Sequence, residues 1–122
     1  TPLQIACFDG HDQVALTLLE KGANIESCNK YKETSLYLAA YRGHASTVSI
    51  LLNYGANTES KNLNEASPLL AASECGHLEV VSVLLRRGAK VDSRNKGGNT
   101  PLQKASDKGH DKVVSILLDK GA

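Results

Sequence analysis

The sequence predicts an all-α solenoid, a stack of helix pairs, and three recurring signals carry that prediction. The first signal is a short segment such as Thr-Pro-Leu that begins with a hydroxyl residue. It recurs at Thr1, Thr34, Ser67 and Thr100. Gly-His pairs recur at 10–11, 43–44, 76–77 and 109–110, and Gly-Ala pairs at 22–23, 55–56, 88–89 and 121–122. All three signals keep a step of 33 residues without insertion or deletion, so the chain holds four copies of one unit.

Each unit opens with a short first helix. The hydroxyl side chain is suited to the N-cap position, where it accepts a hydrogen bond from an unpaired backbone N–H. Proline follows in three copies, at the first helical position where a missing N–H costs nothing, and Ser35 takes that place in the second copy. The glycine of the Gly-His pair ends the helix, because glycine readily adopts the left-handed conformation of a helix terminus.

A second helix follows each Gly-His pair and ends at the glycine of the Gly-Ala pair. Its apolar residues recur at helical spacing, which indicates one buried stripe. The stripes are Val14, Leu18 and Leu19; Val48, Leu51 and Leu52; Val80, Val81, Leu84 and Leu85; and Val113, Val114, Leu117 and Leu118. Ile5 and the first of these stripes are typical of interior positions.

The helix pairs are joined by about eleven polar, turn-rich residues, long enough for a projecting hairpin or extended loop. We call these connections fingers. The chain is thus predicted to be one array over residues 1–122. Its repeat cores are 1–22, 34–55, 67–88 and 100–121, and its fingers are 23–33, 56–66 and 89–99. One helix pair cannot bury its apolar stripe alone, so neighbouring pairs stack into a continuous core.

The chain resembles the ankyrin repeat family, whose unit has 33 residues and a T-P-L-H-x-A signature. The resemblance covers the whole chain and implies an ankyrin-repeat solenoid, with stacked helix pairs and projecting β-hairpin fingers. It also suggests a piece of a longer array, whose fourth copy is the most polar. The signature His is replaced by Gln4, Tyr37, Leu70 and Gln103, so its hydrogen bond must be replaced or absent.

The fingers also depart from the family pattern. The hairpin glycine of the family is Lys32 and Glu65 in the first two fingers and survives only as Gly98. Only glycine adopts positive φ without strain, so we expect the first two finger tips to be strained.

Composition and charge exclude several classes of function. Fourteen basic residues stand against thirteen acidic ones, a net charge of +1, whereas nucleic-acid and membrane surfaces select strongly basic faces. No segment approaches 18 consecutive apolar residues, which argues against insertion into a membrane. The three cysteines form no C-x-x-C pair, and their odd number favours a reducing compartment, cytoplasm or nucleus.

The histidines and cysteines suggest two kinds of site, a metal site or a Cys–His catalytic pair at Cys75 and His77. However, the four histidines stand one per layer, and ligands about 2 Å from one ion cannot come from separate layers. We interpret them as framework residues that connect the two helices, and predict no metal site, cofactor or catalytic residue. Cys7 is predicted to be buried, and Cys28 and Cys75 to be exposed.

A run of basic residues extends from Arg86 to Lys96. It could bind phosphates or an acidic peptide, but Asp92 interrupts it and no aromatic residue lies within it. A solvated basic face is the simpler interpretation.

The resemblance also implies where a partner binds. In the family, finger tips and the exposed sides of the first helices line a concave groove. The matching positions are Phe8, Asp9, Tyr31, Glu33, Tyr41, Arg42, Leu63, Asn64, Glu74, Cys75, Lys96, Asn99, Asp107 and Lys108. Three of the five aromatic residues fall in this set.

Aromatic and arginine residues dominate binding hot spots. We therefore hypothesise that Phe8, Tyr31, Tyr41 and Arg42 form the energetic centre of the groove and that Leu63 adjoins it. Charged residues of the C-terminal half would supply charge complementarity. The alternative is that Phe8 and Tyr41 only cover neighbouring aliphatic surface.

The leading functional hypothesis is a non-enzymatic protein–protein interaction module or scaffold, a monomer whose concave groove binds another protein or a peptide and no nucleic acid. The alternative is a structural spacer in a longer cytoskeletal or channel-associated array, with no ligand on this face. An enzyme would need its catalytic domain elsewhere in the parent chain.

Overall fold

A computed structural model describes residues 1–122, and all eight of its regular elements are α-helices. The first helices of the four pairs are α1 (Pro2–Asp9), α3 (Ser35–Arg42), α5 (Pro68–Cys75) and α7 (Pro101–Asp107). The second helices are α2 (Asp12–Glu20), α4 (Ala45–Asn53), α6 (Leu78–Arg86) and α8 (Asp111–Asp119). First helices pack on first helices and second helices on second helices, pair after pair. The predicted all-α solenoid is confirmed.

All four first helices begin as their sequence predicts, and three of them end as predicted, whereas α7 ends at Asp107 with Lys108 rather than Gly109 as its C-cap. The hydroxyls of Thr1, Thr34, Ser67 and Thr100 each accept a hydrogen bond from a backbone N–H at 3.2 Å. Gly10, Gly43 and Gly76 end the first three of these helices in the left-handed conformation. These local signals set the start of all four first helices and the end of three of them.

Successive layers are joined by the recurring histidines. Nε2 of His44 donates to the carbonyl oxygen of Phe8 at 3.0 Å, and His77 makes the same contact with Tyr41 at 2.9 Å. His110 repeats it at 2.9 Å. Each acceptor belongs to the preceding pair, so the predicted role is corrected: the ring connects neighbouring repeats rather than the two helices of its own repeat.

The glycines that end the first three of these helices make room for this ring. A Cβ atom built on Gly43 would lie 2.6 Å from Nδ1 of His77, and the residue has a φ of +80°. Steric space and backbone conformation therefore both require glycine at this position.

A continuous apolar core runs through all four pairs. Thr47, Val80 and Val113 are buried between adjacent second helices, but Val14 at the equivalent position is 51% exposed. Val14 and Ile5, which the sequence analysis described as typical interior positions of a longer array, are both exposed in the described residues, where the first pair packs against a single neighbouring pair.

The fingers contain no regular strand. One antiparallel bridge joins Cys28 and Thr34, and tight turns close the loops at Asn29, Asn62 and Asn95. In each loop the asparagine Oδ1 accepts a backbone N–H from the residue four positions ahead. The backbone N–H of each asparagine also donates to the carbonyl of that same residue, at 3.0–3.1 Å. The fingers are thus short hairpin-like turns that asparagine stabilises, without regular strands.

The finger tips are strained where glycine is missing. Lys32 has a φ of 62° and Glu65 a φ of 59°, in the left-handed region that favours glycine, and Gly98 has a φ of 79°. The prediction of strain in the first two fingers is confirmed.

Neighbouring fingers bond to one another. Oε2 of Glu26 accepts the backbone N–H of Asn57 at 2.8 Å, and Glu59 accepts that of Lys90 at 3.1 Å. The backbone N–H of Leu63 also donates to the carbonyl of Tyr31 at 2.9 Å. The fingers therefore form a continuous edge.

Different contacts take the place of the signature histidine. Nε2 of Gln4 donates to the carbonyl oxygen of Ser27 at 2.9 Å, and Oη of Tyr37 accepts from the Asn62 side chain at 3.0 Å. Leu70 packs in a small buried apolar cluster with Tyr37 and Ala66. The hydrogen bond is thus replaced in the first two copies, and apolar packing replaces it in the third.

Candidate functional site

The candidate site lies on the finger face, the surface formed by the exposed sides of the first helices and by the fingers. None of the fourteen predicted site residues is buried. The structure brings some of them together in two pockets on this face, one apolar and one polar.

The apolar pocket has a volume of about 300 Å³ and lies where α1, α3 and the first finger meet. Its lining residues are Gln4, Ile5, Phe8, Asn29, Tyr31, Glu33 and Leu38. We call it the aromatic pocket. It unites three predicted residues, Phe8, Tyr31 and Glu33, which are separated along the chain. The carboxylate of Glu33 accepts a hydrogen bond from Asn29 at 3.0 Å, which holds the finger side of the pocket.

Two cations cover the aromatic rings of this region. The guanidinium of Arg42 lies over the Phe8 ring, 4.4 Å from its centroid, and Nζ of Lys30 lies 5.2 Å from that of Tyr31. A cation over an aromatic face is attracted by the negative potential of the ring. The structure therefore joins the predicted Arg42 to the pocket through Phe8.

Tyr41 and Leu63 lie on the same face but do not line the aromatic pocket. Their exposed fractions are 47% and 51%. Leu63 is tied to the pocket only through its backbone bond to Tyr31. The predicted centre is thus divided: Phe8 and Tyr31 line the pocket, and Tyr41 stands apart from it.

A buried phenol stands close to Tyr41. Burial is the main cause that raises the pKa of Tyr37 to about 12, and the negative charge of Glu33 adds to it. Tyr37 therefore keeps its proton and serves the structure as the hydrogen-bond acceptor of Asn62.

Four lining residues of the aromatic pocket were not among the predicted site residues: the polar Gln4 and Asn29 and the apolar Ile5 and Leu38. Ile5 is 65% exposed and forms part of the pocket wall together with Leu38. A signal was present, since the equivalent residues in the four copies are Ile5, Leu38, Ala71 and Lys104. A position that varies this widely between copies does not belong to the common framework.

The other end of the finger face is polar. A second pocket of about 400 Å³ is lined by Asn99, Gln103, Ser106 and Asp107, and so brings the predicted Asn99 and Asp107 together. Beside it, Nζ of Lys104 lies 3.5 Å from Oε2 of Glu74. This end therefore presents hydrogen-bonding groups and charges of both signs.

The remaining predicted residues line neither pocket. They are Asp9, Asn64, Cys75, Lys96 and Lys108. Asn64 and Lys96 join two fingers, because the backbone N–H of Lys96 donates to the Asn64 carbonyl at 2.9 Å.

The three cysteines differ in exposure. Cys28 is exposed and Cys7 is buried, as predicted, but Cys75 is half-buried rather than exposed. Burial raises the pKa of Cys7 to about 11 and also raises the pKa of the Cys75 thiol, to which the charge of Glu74 contributes. The Cys75 environment is therefore the opposite of one that activates a thiolate nucleophile.

The side chains and helices also bear on metal binding and on membrane crossing. No three His, Cys, Asp or Glu side chains are grouped so that they could share a metal ion. None of the eight helices combines the length and the apolar character that crossing a bilayer requires.

The stacked helix pairs and the exposed finger face define a solenoid repeat protein. The family model for ankyrin repeats, which spans three copies, matches residues 1–62 and again residues 55–122, and the chain belongs to the ankyrin repeat family. Ankyrin repeats are generally protein-interaction modules and typically non-enzymatic. No curated protein matches the chain.

Proposed function

We propose that the chain is a non-enzymatic interaction module that binds a segment of another protein, or a peptide, on its finger face. The observation that carries the proposal is the aromatic pocket, where Phe8 and Tyr31 stand beside the exposed Ile5. Partly exposed aromatic and aliphatic groups around a pocket of about 300 Å³ can bury an apolar side chain of a partner.

The variation between copies supports this assignment. The residues that cap helices and join layers keep their chemical type through the four units, whereas those of the finger face do not. At the position of Ile5, the series changes from apolar residues to Lys104. A partner would therefore insert an apolar side chain at the N-terminal end and place polar or charged groups at the other end.

The remaining properties follow from charge and thiol chemistry. With a net charge of +1, the chain lacks the excess of positive charge that attracts nucleic acids. Three free thiols suit a reducing compartment, so we assign the module to the cytoplasm or nucleus, where it acts as a monomer.

The test combines partner capture with a double substitution on the finger face. The 122-residue chain is used to isolate a partner, and the affinity is then measured for the wild type and for the Tyr31→Ala/Tyr41→Ala variant. Both tyrosines are about half exposed. We expect binding to weaken by over about 1 kcal/mol without a lower melting temperature, because exposed side chains add little to the core.

Tyr54→Ala provides the matched control. Tyr54 is 43% exposed, close to the value for Tyr41, but it follows the second helix α4 and lies away from the finger face. Its loss should leave partner binding unchanged. Equal binding by the double variant, or an equal loss in Tyr54→Ala, would sink the proposal and favour a structural spacer with no ligand on this face.

A further inference from the structure

A second surface lies on the second helices, outside the candidate site. A groove of about 620 Å³, about twice the volume of the aromatic pocket, runs between α6 and α8. Its lining residues are Leu78, Glu79, Ser82, Val83, Arg86, Ile116 and Lys120. We call it the outer groove.

The outer groove has an apolar floor and charged ends. Leu78, Val83 and Ile116 are half-buried and form the floor. Glu79 stands in the first turn of α6 and Arg86 at its last residue, so seven residues, or roughly 10 Å of helix, separate them. Lys120 follows the end of α8 and brings a second cation to the same end as Arg86.

These charges have no partner within the molecule. The one salt bridge of the chain joins Lys104 to Glu74, and none of the three charged groove residues takes part in it. Arg86, Lys120 and Glu79 are exposed. Each is therefore available to a charged group that enters the groove.

The charge pattern is particular to this junction and is not a property of every repeat. Asn53 of α4 stands at the position of Arg86, and Ser46 at that of Glu79. The equivalent groove between α4 and α6 therefore lacks both the acidic residue and the first of the two basic residues of the outer groove.

We propose that the outer groove is a second docking surface, which takes an amphipathic helix of another protein with acidic residues in its first turn and a basic residue in its last. Two parallel, neighbouring helices leave a furrow into which a third helix packs by its apolar stripe. The acidic turn lies beside Arg86 and Lys120, and the basic residue lies beside Glu79.

The direction of the docked helix follows from the same charges. The ends of α6 and α8 that carry Arg86 and Lys120 are their C-termini, which bear partial negative charge. A helix that runs antiparallel to them brings its positive N-terminal end there, and acidic side chains are favoured in its first turn. Side-chain charge and helix dipole therefore select one orientation.

A display selection on the full 122-residue chain tests the proposal. The probe is a library of 15-residue helical peptides with a fixed leucine stripe and with randomised first and last turns. We expect clones with an acidic first turn and a basic last turn. A synthetic peptide of that sequence should bind the Arg86→Glu/Lys120→Glu variant about tenfold more weakly than the wild type.

Arg87→Glu is the matched control, because Arg87 carries the same charge one residue away but does not line the groove. It should change the affinity less than about twofold. Circular dichroism of each variant checks that the helices are intact.

Several outcomes would overturn the proposal. One is a selection without such clones, and another is an equal loss of binding in Arg87→Glu. Sedimentation with phosphatidylserine vesicles that depends on Arg86 would assign the cations to a lipid surface instead. A dimer that light scattering detects, and that the double variant abolishes, would assign the groove to a second copy of the chain.

Discussion

The junctions between repeats and the finger face obey opposite rules in this molecule. At the junctions one contact recurs, the imidazole of each later pair on a carbonyl of the preceding pair, at 2.9–3.0 Å in all three cases. Among the exposed side chains of the first helices no such contact recurs: the Phe8–Arg42 stacking joins the first two copies and the Glu74–Lys104 ion pair joins the last two. Recurrence identifies the contacts that hold the stack, and variation identifies those left for recognition.

This difference means that the stability of the fold and the binding of a partner depend on different residues. Because each junction is held by backbone carbonyls, glycines and histidines, the exposed side chains of the first helices can change without loss of the fold. Substitutions at a junction should therefore lower the free energy of unfolding, and substitutions on the finger face should lower the affinity for a partner.

The largest effect is expected at the glycine beneath a histidine ring. Gly43→Ala places a Cβ 2.6 Å from Nδ1 of His77 at a φ of +80°. We expect a loss of about 3 kcal/mol in the free energy of unfolding, from backbone strain together with displacement of the ring. Urea denaturation monitored by circular dichroism measures it.

Gly55→Ala in the same repeat is the control for strain alone. Gly55 has a φ of +87°, but no atom lies within 4 Å of the added Cβ, so the loss should be about 1 kcal/mol. In addition, His77→Ala in the Gly43→Ala background should restore part of the stability, because the obstructing ring is gone. Equal losses for the two glycines would show that the ring does not hold the junction.

The next-largest loss of stability is expected when the histidine itself is replaced. His77→Ala removes the hydrogen bond to the Tyr41 carbonyl and should lower the free energy of unfolding by about 1 kcal/mol. His11 occupies the same position in the first pair but is exposed, and its ring bonds to no carbonyl of another pair. His11→Ala should therefore cost less than about 0.5 kcal/mol. If both variants unfold at the same urea concentration, the histidine is not a contact between layers.

The boundaries of the helices follow from the sequence because the signals that set them are local. A hydroxyl N-cap and a left-handed glycine act within one turn of helix, so a step of 33 residues locates every copy. The partner of each histidine was not accessible in this way, since His44 and the Phe8 carbonyl are 36 residues apart. Such a contact depends on how the pairs stack.

The candidate site was predicted only in part, because some of its residues come together only when the pairs stack. Its aromatic members could be named because they vary between copies, but Ile5 was described only as a typical interior position of a longer array. Only the packing of α1, α3 and the first finger shows that Ile5 stands in a pocket wall. The groove between α6 and α8 was likewise not predicted from the sequence. Arg86 was assigned to a linear basic run, whereas in the structure it shares the groove with Lys120.

Substitution by glycine at the two strained finger tips should stabilise the protein. Lys32→Gly and Glu65→Gly remove side chains from residues with φ of 62° and 59°. Relief of strain exceeds the added entropy of the unfolded chain, so together they should raise the free energy of unfolding by about 1 kcal/mol. Gly98→Ala, the reverse change in the third finger, should lower it. A thermal melt of the three variants checks the sign, and a double variant less stable than the wild type would contradict the argument.

The smallest effect distinguishes the two interpretations of Phe8. If Arg42 is held over the Phe8 ring at 4.4 Å by the charge of the guanidinium, the two side chains are coupled. A double-mutant cycle of Phe8→Leu and Arg42→Gln should then give about 0.5 kcal/mol, the value for exposed cation–π pairs. Coupling near zero would mean that Phe8 only covers aliphatic surface. The same cycle can be measured on the binding free energy of a partner. A larger coupling energy there would mean that the pair acts in recognition, because a partner that excludes water strengthens the attraction between cation and ring.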